Sequence, residues 1–341
     1  MRGRGRLAAA LVMAAAAMGT LAACGNDDGG GSAGGGTSGG GANSGDGAKP
    51  KIAFVVGNVN DAFYQKAMEG AKEEATKLNV DLIDQGPTQF APDAQIAVID
   101  ALISQKPDAL AIAPVDPTAL IAPLRKYADA KIPVVTYDGA LANPPFDIVS
   151  QISSQNTEGG QMAAEAMAKA IGGKGKVAII DLNTSNKVLT DRKDGFIAKL
   201  KADHPAIQVV ATQLTGTDFG SAQTITQTLM TKHPDLKGVF ATFELAALPA
   251  AKAIADAKAA DRVALVGYEA GPKTIDYIKQ GVIKAVVAQQ PAEEGRLAVR
   301  AAHGAATGND SAVDAEVKIP GVLIDRENVD QMQKYYYAVG G

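Results

Sequence analysis

From Lys51 onward, short apolar runs alternate with longer segments whose apolar residues recur at helical spacing. Residues 52–56 form an uninterrupted apolar run, the pattern of a strand covered on both faces. Residues 63–78 place small or apolar side chains at Ala67, Gly70, Ala71, Ala75 and Leu78, one face of a helix. The same reasoning predicts strands over 80–83, 109–113 and 133–137, with helices over 94–103 and 118–130. A second series begins near Asn156 with a helix to Ile171, stopped by Gly172 and Gly173. Strands over 176–180, 207–211, 238–241, 263–266 and 283–288 follow, interleaved with helices over 192–201, 218–232, 245–257, 273–280 and 292–306. Alternation of this kind builds a parallel sheet covered by helices, so each half is predicted to be a doubly wound α/β lobe of similar size.

The chain ahead of this body is patterned differently. Arg2, Arg4 and Arg6 precede an uncharged stretch from Leu7 to Leu21, roughly 15 residues and too short for a comfortable membrane span. Leu21, Ala22, Ala23 and Cys24 follow. This resembles a bacterial lipoprotein signal, cut before Cys24, whose thiol then carries a diacylglyceryl group. The alternative is an ordinary secretory signal with a chance Cys; Cys24 is the single Cys of the chain and falls at the cleavage position. Two or more acyl chains anchor stably where one is marginal. Residues 25–48 are Gly, Ser, Ala, Asn and Asp with one Thr, a composition that buries too little to offset its ordering entropy and reads as a flexible tether.

Length and charge narrow the function. The 341 residues suit about two domains. The chain carries 33 basic and 37 acidic residues, and removing 1–23 takes away three Arg and no acid, leaving 30 against 37 and a net charge of −7. A nucleic-acid partner, which requires a basic face, is not expected. One Cys makes no internal disulfide, and His204, His233 and His303 lie too far apart in sequence for metal-ligand spacing. No metal, cofactor or catalytic residue is expected.

Ligands of open α/β sheets bind beyond the carboxyl ends of the strands. The residues that follow the strands include Asn58, Asn60, Asp61, Phe63 and Tyr64, then Pro114, Asp116 and Asp138; in the second half come Arg192, Phe243, Glu244, Glu269, Gln289 and Gln290. Two such rims facing across a cleft suit a small polar ligand with apolar faces. Each residue has a plainer role as well. Asp61 reads equally as a helix cap and as a ligand contact. Phe63 reads as core or as a stacking platform, Asp116 as a cap ahead of Pro117, and Glu244 as a solvated acid at a helix start. Tyr137 and Tyr268 read as structural. Arg192, a cation early in its predicted helix, opposes the macrodipole and so points to a ligand, with pairing to Asp191 or Asp194 as the alternative.

With these pieces in this order, the chain resembles the ribose-binding-protein group of periplasmic solute-binding proteins over nearly all of 50–324. The resemblance rests on residues 52–56 with Asn60-Asp61-Ala62-Phe63-Tyr64, on Ile112-Ala113-Pro114-Val115-Asp116, and on 132–138 ending in Tyr137-Asp138. It continues through Asn156-Thr157-Glu158-Gly159-Gly160, Arg192-Lys193-Asp194-Gly195-Phe196, Val239-Phe240-Ala241, Val266-Gly267-Tyr268-Glu269 and Ala288-Gln289. It implies a type I periplasmic binding protein: two lobes joined by a three-segment hinge, closing on a sugar. The implied crossings fall near Ser154, Gln289–Gln290 and Val317–Lys318. That gives a signal peptide over 1–23, a tether over 24–49, an N-terminal lobe of 50–154 plus 290–317 and a C-terminal lobe of 155–289 plus 318–341. Implied contact positions fall on Asp61, Phe63, Tyr64, Asp138, Arg192, Glu269 and Gln289. They fall also on Gly57, Ala113, Gly139, Thr217 and Phe243, where this chain departs from the ribose pattern: Gly139 stands for an Arg, Phe243 for an Asn, Thr217 for an aromatic, and Glu269 for an Asp. A buried hydroxyl left without a partner costs about 1–3 kcal/mol, so ribose itself is not the expected ligand.

The expected function is a lipid-anchored receptor on the outer face of the bacterial cell membrane. It binds a small neutral sugar or polyol and delivers it, as a monomer, to the permease and ATPase subunits of an ABC importer. A cationic or amino ligand is the alternative. So is a furanosyl autoinducer, suggested by 84–88 and 248–251, although the Lys such relatives carry near the first strand end is absent at Val56 and Gly57. A sensor feeding a membrane signalling protein stays open. An enzyme is disfavoured: no His, Cys or Gly-x-Ser-x-Gly elbow supports a nucleophile at a strand end and no Gly-rich phosphate loop is seen, although Asp138 and Glu269 could in principle form a glycosidase pair. A repressor would need a DNA-binding helix-turn-helix where the signal and tether stand.

Overall fold

The computed structural model describes residues 49–184, 186–309 and 313–337. The signal peptide, Cys24 and nearly all of the tether lie outside the described residues. The first half runs β1 (Lys51–Val55), α1 (Ala62–Leu78), β2 (Asp81–Gln85), α2 (Pro92–Leu102), β3 (Ala109–Ile112), α3 (Ile121–Asp129), β4 (Val134–Tyr137) and β5 (Ser150–Ser154). The second runs α4 (Asn156–Ile171), β6 (Gly175–Asp181), α5 (Lys187–Asp203), β7 (Ile207–Leu214), α6 (Ser221–Lys232), β8 (Leu236–Ala241), α7 (Glu244–Asp256), β9 (Ala264–Tyr268), α8 (Pro272–Lys279) and β10 (Ile283–Ala288). Then come α9 (Pro291–Thr307), β11 (Glu316–Ile319) and β12 (Val322–Asp325).

These strands form two six-stranded sheets with the same winding, β2-β1-β3-β4-β5-β11 and β7-β6-β8-β9-β10-β12. The central strands are fully buried, as their unbroken apolar runs require. The sole antiparallel pairing among the described strands is β12 on β10. The chain crosses between the sheets three times. β5 leads into α4, which packs on the second sheet, and β10 leads into α9, which packs on the first. The third crossing lies at Pro320 and Gly321 rather than at Val317–Lys318. Lys318 and Ile319 still pair in parallel with Ser153 and Ser154 of the first sheet, which holds the chain there for two more residues.

Each lobe contains one close helix crossing made possible by a missing side chain. A Cβ on Gly160 of α4 would fall 2.0 Å from the Arg192 carbonyl oxygen of α5. One on Gly295 of α9 would fall 2.0 Å from the Ala67 carbonyl oxygen of α1. The first of these contacts fixes the turn of α5 that carries Arg192.

Candidate functional site

The strands of both sheets point their carboxyl ends at one cavity of about 790 Å³, part of it open to solvent. Asp61, Phe63, Tyr64, Asp138, Arg192, Phe243, Glu269 and Gln289 all border it. Gln290 does not; its side-chain amide donates to the Pro320 carbonyl at 3.0 Å and ties the second crossing to the third. Asp116 accepts from the backbone of Thr118 and Ala119, both at 2.8 Å, and acts as a turn cap.

On the first lobe, Asp61 is both cap and cavity residue: it ends the approach to α1 and accepts from the Phe63 N–H at 2.8 Å. Burial, with Glu269 facing it, pushes its carboxyl up to about 8. The Tyr64 hydroxyl donates to Asp138 Oδ2 at 2.9 Å. Burial raises Asp138 to about 6, against the opposing pull of Arg192 and the Tyr64 bond. Phe63 lies edge-on to Tyr64 at 5.1 Å and Tyr64 stacks on Phe90 at 6.4 Å. Tyr137 is structural, its hydroxyl donating to the Val55 carbonyl at 3.2 Å.

On the second lobe, Arg192 is 1% exposed and organises its surroundings. Its Nε donates to Asn156 Oδ1 at 2.9 Å, Nη1 to the Thr242 carbonyl at 2.9 Å and to Glu269 Oε1 at 3.3 Å, and Nη2 to Gln289 Oε1 at 2.7 Å. The guanidinium lies 3.9 Å above the centre of the Tyr268 ring. Asp191 pairs instead with Lys187 at 2.7 Å, and Asp194 approaches Lys193 at 3.6 Å. Because α5 begins at Lys187, Arg192 lies beyond the first turn, and its sideways bonds rather than the helix dipole explain it. Four of its hydrogen bonds are spent within the protein, so it acts chiefly to hold Glu269 and Gln289 in place.

Glu269 also accepts from the Glu244 N–H at 2.9 Å. Glu244 itself is not solvated. It is buried behind the site, accepts from the Thr274 hydroxyl, and burial raises it to about 7, with the charge of Glu269 adding to the shift. Helix α7 packs over β9 and α8, and that packing encloses its first residue. Asp138 and Glu269 both have left-handed backbones, with φ of 58° and 71°. Such conformations in residues other than Gly gather at functional sites.

Several cavity residues escaped the strand-end reasoning. Phe90 lies in the β2–α2 loop, Leu182, Val188 and Leu189 flank the start of α5, and Phe219 lies ahead of α6. Thr217, where the ribose pattern has an aromatic, is exposed and does not border the cavity, whereas Phe219 two residues later does. Phe219 lies edge-on to Phe243 at 5.6 Å. Among the described residues, no group of three or more His, Cys, Asp or Glu is placed to hold a metal ion.

Comparisons with known proteins agree with this geometry. A family model described as a periplasmic binding protein domain matches residues 52–310. The ribose import binding protein of Salmonella typhimurium is 32% identical over 255 residues, covering 75% of this chain and 84% of that protein. An ABC transporter solute-binding protein of Agrobacterium vitis, solved with alpha-D-tagatopyranose, superposes with a TM-score of 0.81 at 34% identity, over 85% of this chain and all of that one. One from Actinobacillus succinogenes, solved with D-allose, gives a TM-score of 0.77 at 26% identity, over 83% of this chain and 100% of that one.

Proposed function

This chain belongs to the periplasmic binding protein family, in its ribose-binding-protein group of type I solute-binding proteins, and from that premise we propose that it captures a small neutral sugar or polyol between its lobes for an ABC importer. Members of this family bind and hand over a substrate rather than transform it. The observation that carries the reading is the polar cluster of Asp61 and Asp138 on one lobe with Glu269 and Arg192 on the other, around one cavity. Carboxylates there accept from ligand hydroxyls, and the Tyr64 and Phe63 rings cover the apolar faces of a sugar ring. A ligand bonded to both rims stabilises the closed arrangement through contacts that the open one lacks.

The charge balance favours a neutral guest. Among the described residues lining the cavity, Arg192 is engaged by Glu269 and Gln289 and Lys187 by Asp191, which disfavours a phosphate or carboxylate. Burial and the facing Glu269 push Asp61 up to about 8, which favours the protonated form that can donate to a ligand hydroxyl. The excess of carboxylates over Arg192 supports a second reading, a ligand bearing an ammonium group.

Calorimetric titration against pentoses, hexoses, polyols, amines and sugar acids tests both. Micromolar or tighter binding of a neutral sugar or polyol is expected. Tight binding of sugar acids alone overturns the proposal, and binding of amines alone replaces it with the second reading. The outer-face location belongs to the same proposal, with Cys24 as the lipid-bearing residue, supported by the signal-like sequence around it.

A further inference from the structure

The polar and apolar linings of the cavity are segregated by the order of the strands. Along the second sheet from the crossing outward, β10 delivers Gln289, β9 Glu269, β8 Phe243 and β6 Leu182, while the loop after β7 delivers Phe219. The series changes from hydrogen-bonding to hydrocarbon at β8. The first sheet repeats the change: Asp138 follows β4, Val115 follows β3, and Phe90 follows β2. Asp61, after β1, is out of this order, but Glu269 and Asp138 are among the charges that act on it, so it joins the polar group across the cleft. Two strand spacings, roughly 10 Å, separate the strand ends that carry Glu269 and Leu182.

Three polar cavity residues follow β6: Arg192 reaches back to Glu269 and Gln289, and the other two have partners in their own helix. Asn186 accepts from the Leu189 N–H at 3.1 Å, and the Lys187 ammonium contacts both oxygens of Asp191 at 2.7 and 2.8 Å. Val188, Leu189 and Leu245 complete the wall. A ring held by the acids therefore turns its far edge against Phe243, Phe219 and Leu182, where the described cavity side chains are hydrocarbon apart from Asn186 and Lys187.

We propose that the preferred ligand is a deoxy sugar, a ring with hydroxyls along the edge facing Asp61, Asp138 and Glu269 and a methyl or unsubstituted carbon on the edge facing the Phe243–Phe219 wall. This rests on the sugar-binding reading and narrows it. An apolar pocket discriminates against an added hydroxyl by up to about 100-fold, which sets the scale of the effect.

Paired titrations test it: D-galactose against D-fucose, L-mannose against L-rhamnose, and D-ribose against 5-deoxy-D-ribose. The deoxy member of the best-bound pair is expected to bind at least tenfold tighter than its parent. Phe243→Asn should shrink that ratio threefold or more. Val188→Thr, at a half-buried position where a hydroxyl is tolerated, should shrink it in the same direction. Parents that bind as tightly as their deoxy partners, or a ratio unmoved in both variants, overturn the inference and leave the sugar reading standing. Failure of every sugar in the panel overturns both.

Discussion

Arg192 is joined to Gln289 at 2.7 Å, and the amide of Gln289 donates in turn to the Ser154 hydroxyl at 3.0 Å. The buried cation of the site is thereby tied to two of the three crossings between the lobes. Ser154 passes the connection on to Glu294, at 2.6 Å and fully buried. Removing Arg192 should therefore affect more than a ligand contact. Arg192→Ala is expected to weaken binding more than tenfold and to lower stability by about 3–5 kcal/mol, the range for breaking a buried ion pair from one side. Arg192→Lys should recover little, because a single ammonium cannot reproduce the guanidinium's fork. Urea melts alongside titration check this; a variant of normal stability would show that these bonds do not hold the lobe.

Asp138 allows binding to be separated from folding. Its left-handed backbone is one Asn also adopts, and an amide oxygen still accepts from Tyr64. Asp138→Asn should keep its urea midpoint at pH 5 and raise it at neutral pH, where the buried charge opposes folding, while its Kd rises about tenfold, the scale of one charge-assisted hydrogen bond. Unchanged affinity would remove Asp138 from the site.

Four acids give the ligand-free protein an unusual pH response. Asp61, Glu244 and Asp138 are raised to about 8, 7 and 6, and Glu294 well above the usual carboxylate range, all chiefly by burial. Unfolded carboxyls titrate near 4, so the folded state holds these protons more tightly over that interval. Their contribution to stability is complete below about 4 and is lost as pH rises through 6 to 8. The melting temperature should be higher at pH 5.5 than at pH 8.5. Asp61→Asn, which keeps the cap on α1, should narrow the gap. A melting temperature that rises with pH over this range would contradict the assignment.

The crossing of α4 and α5 gives a fourth test. Gly160→Ala puts a methyl against the Arg192 carbonyl, and overpacking of this kind costs about 1–3 kcal/mol or more. Because the contact positions Arg192, the Kd should rise together with the loss of stability. A urea midpoint equal to that of the parent protein would show that the helices part freely.

The anchor is testable by itself. Cys24→Ala should abolish incorporation of radiolabelled fatty acid and release the protein from the membrane fraction; unchanged fractionation would rule out the anchor.

The alternating architecture was legible because strands such as β3 and β4 are apolar throughout. β5 was not: Ser150, Gln151, Ser153 and Ser154 lack an apolar run and no strand is predicted from them, yet they form one because β4 and β11 flank it while Ser150 and Ser154 bond to the Asp314 carbonyl and Glu294. The start of α5 was masked by the polar run before it, although Asn186 caps it. Strand-end reasoning located the acids of the cavity and the aromatics Phe63, Tyr64 and Phe243. It missed Leu182, Leu189 and Phe219, since an apolar residue lining a cleft has the same sequence signal as one in the core. The partners of Arg192 come from α4, the β8–α7 junction, β9 and the end of β10, and no local pattern encodes a meeting of that kind.

The exchange of α9 and the last two strands between the halves also governs how the molecule can be divided. Residues 50–154 lack the helix and outer strand that cover their own sheet, and residues 155–289 lack the strand that closes theirs. A fragment cut at either boundary bares a hydrogen-bonding edge and invites aggregation. A nascent chain leaves the edge of β5 open until β11, ending at Ile319, has emerged, and the edge of β10 open until β12, ending at Asp325, has followed.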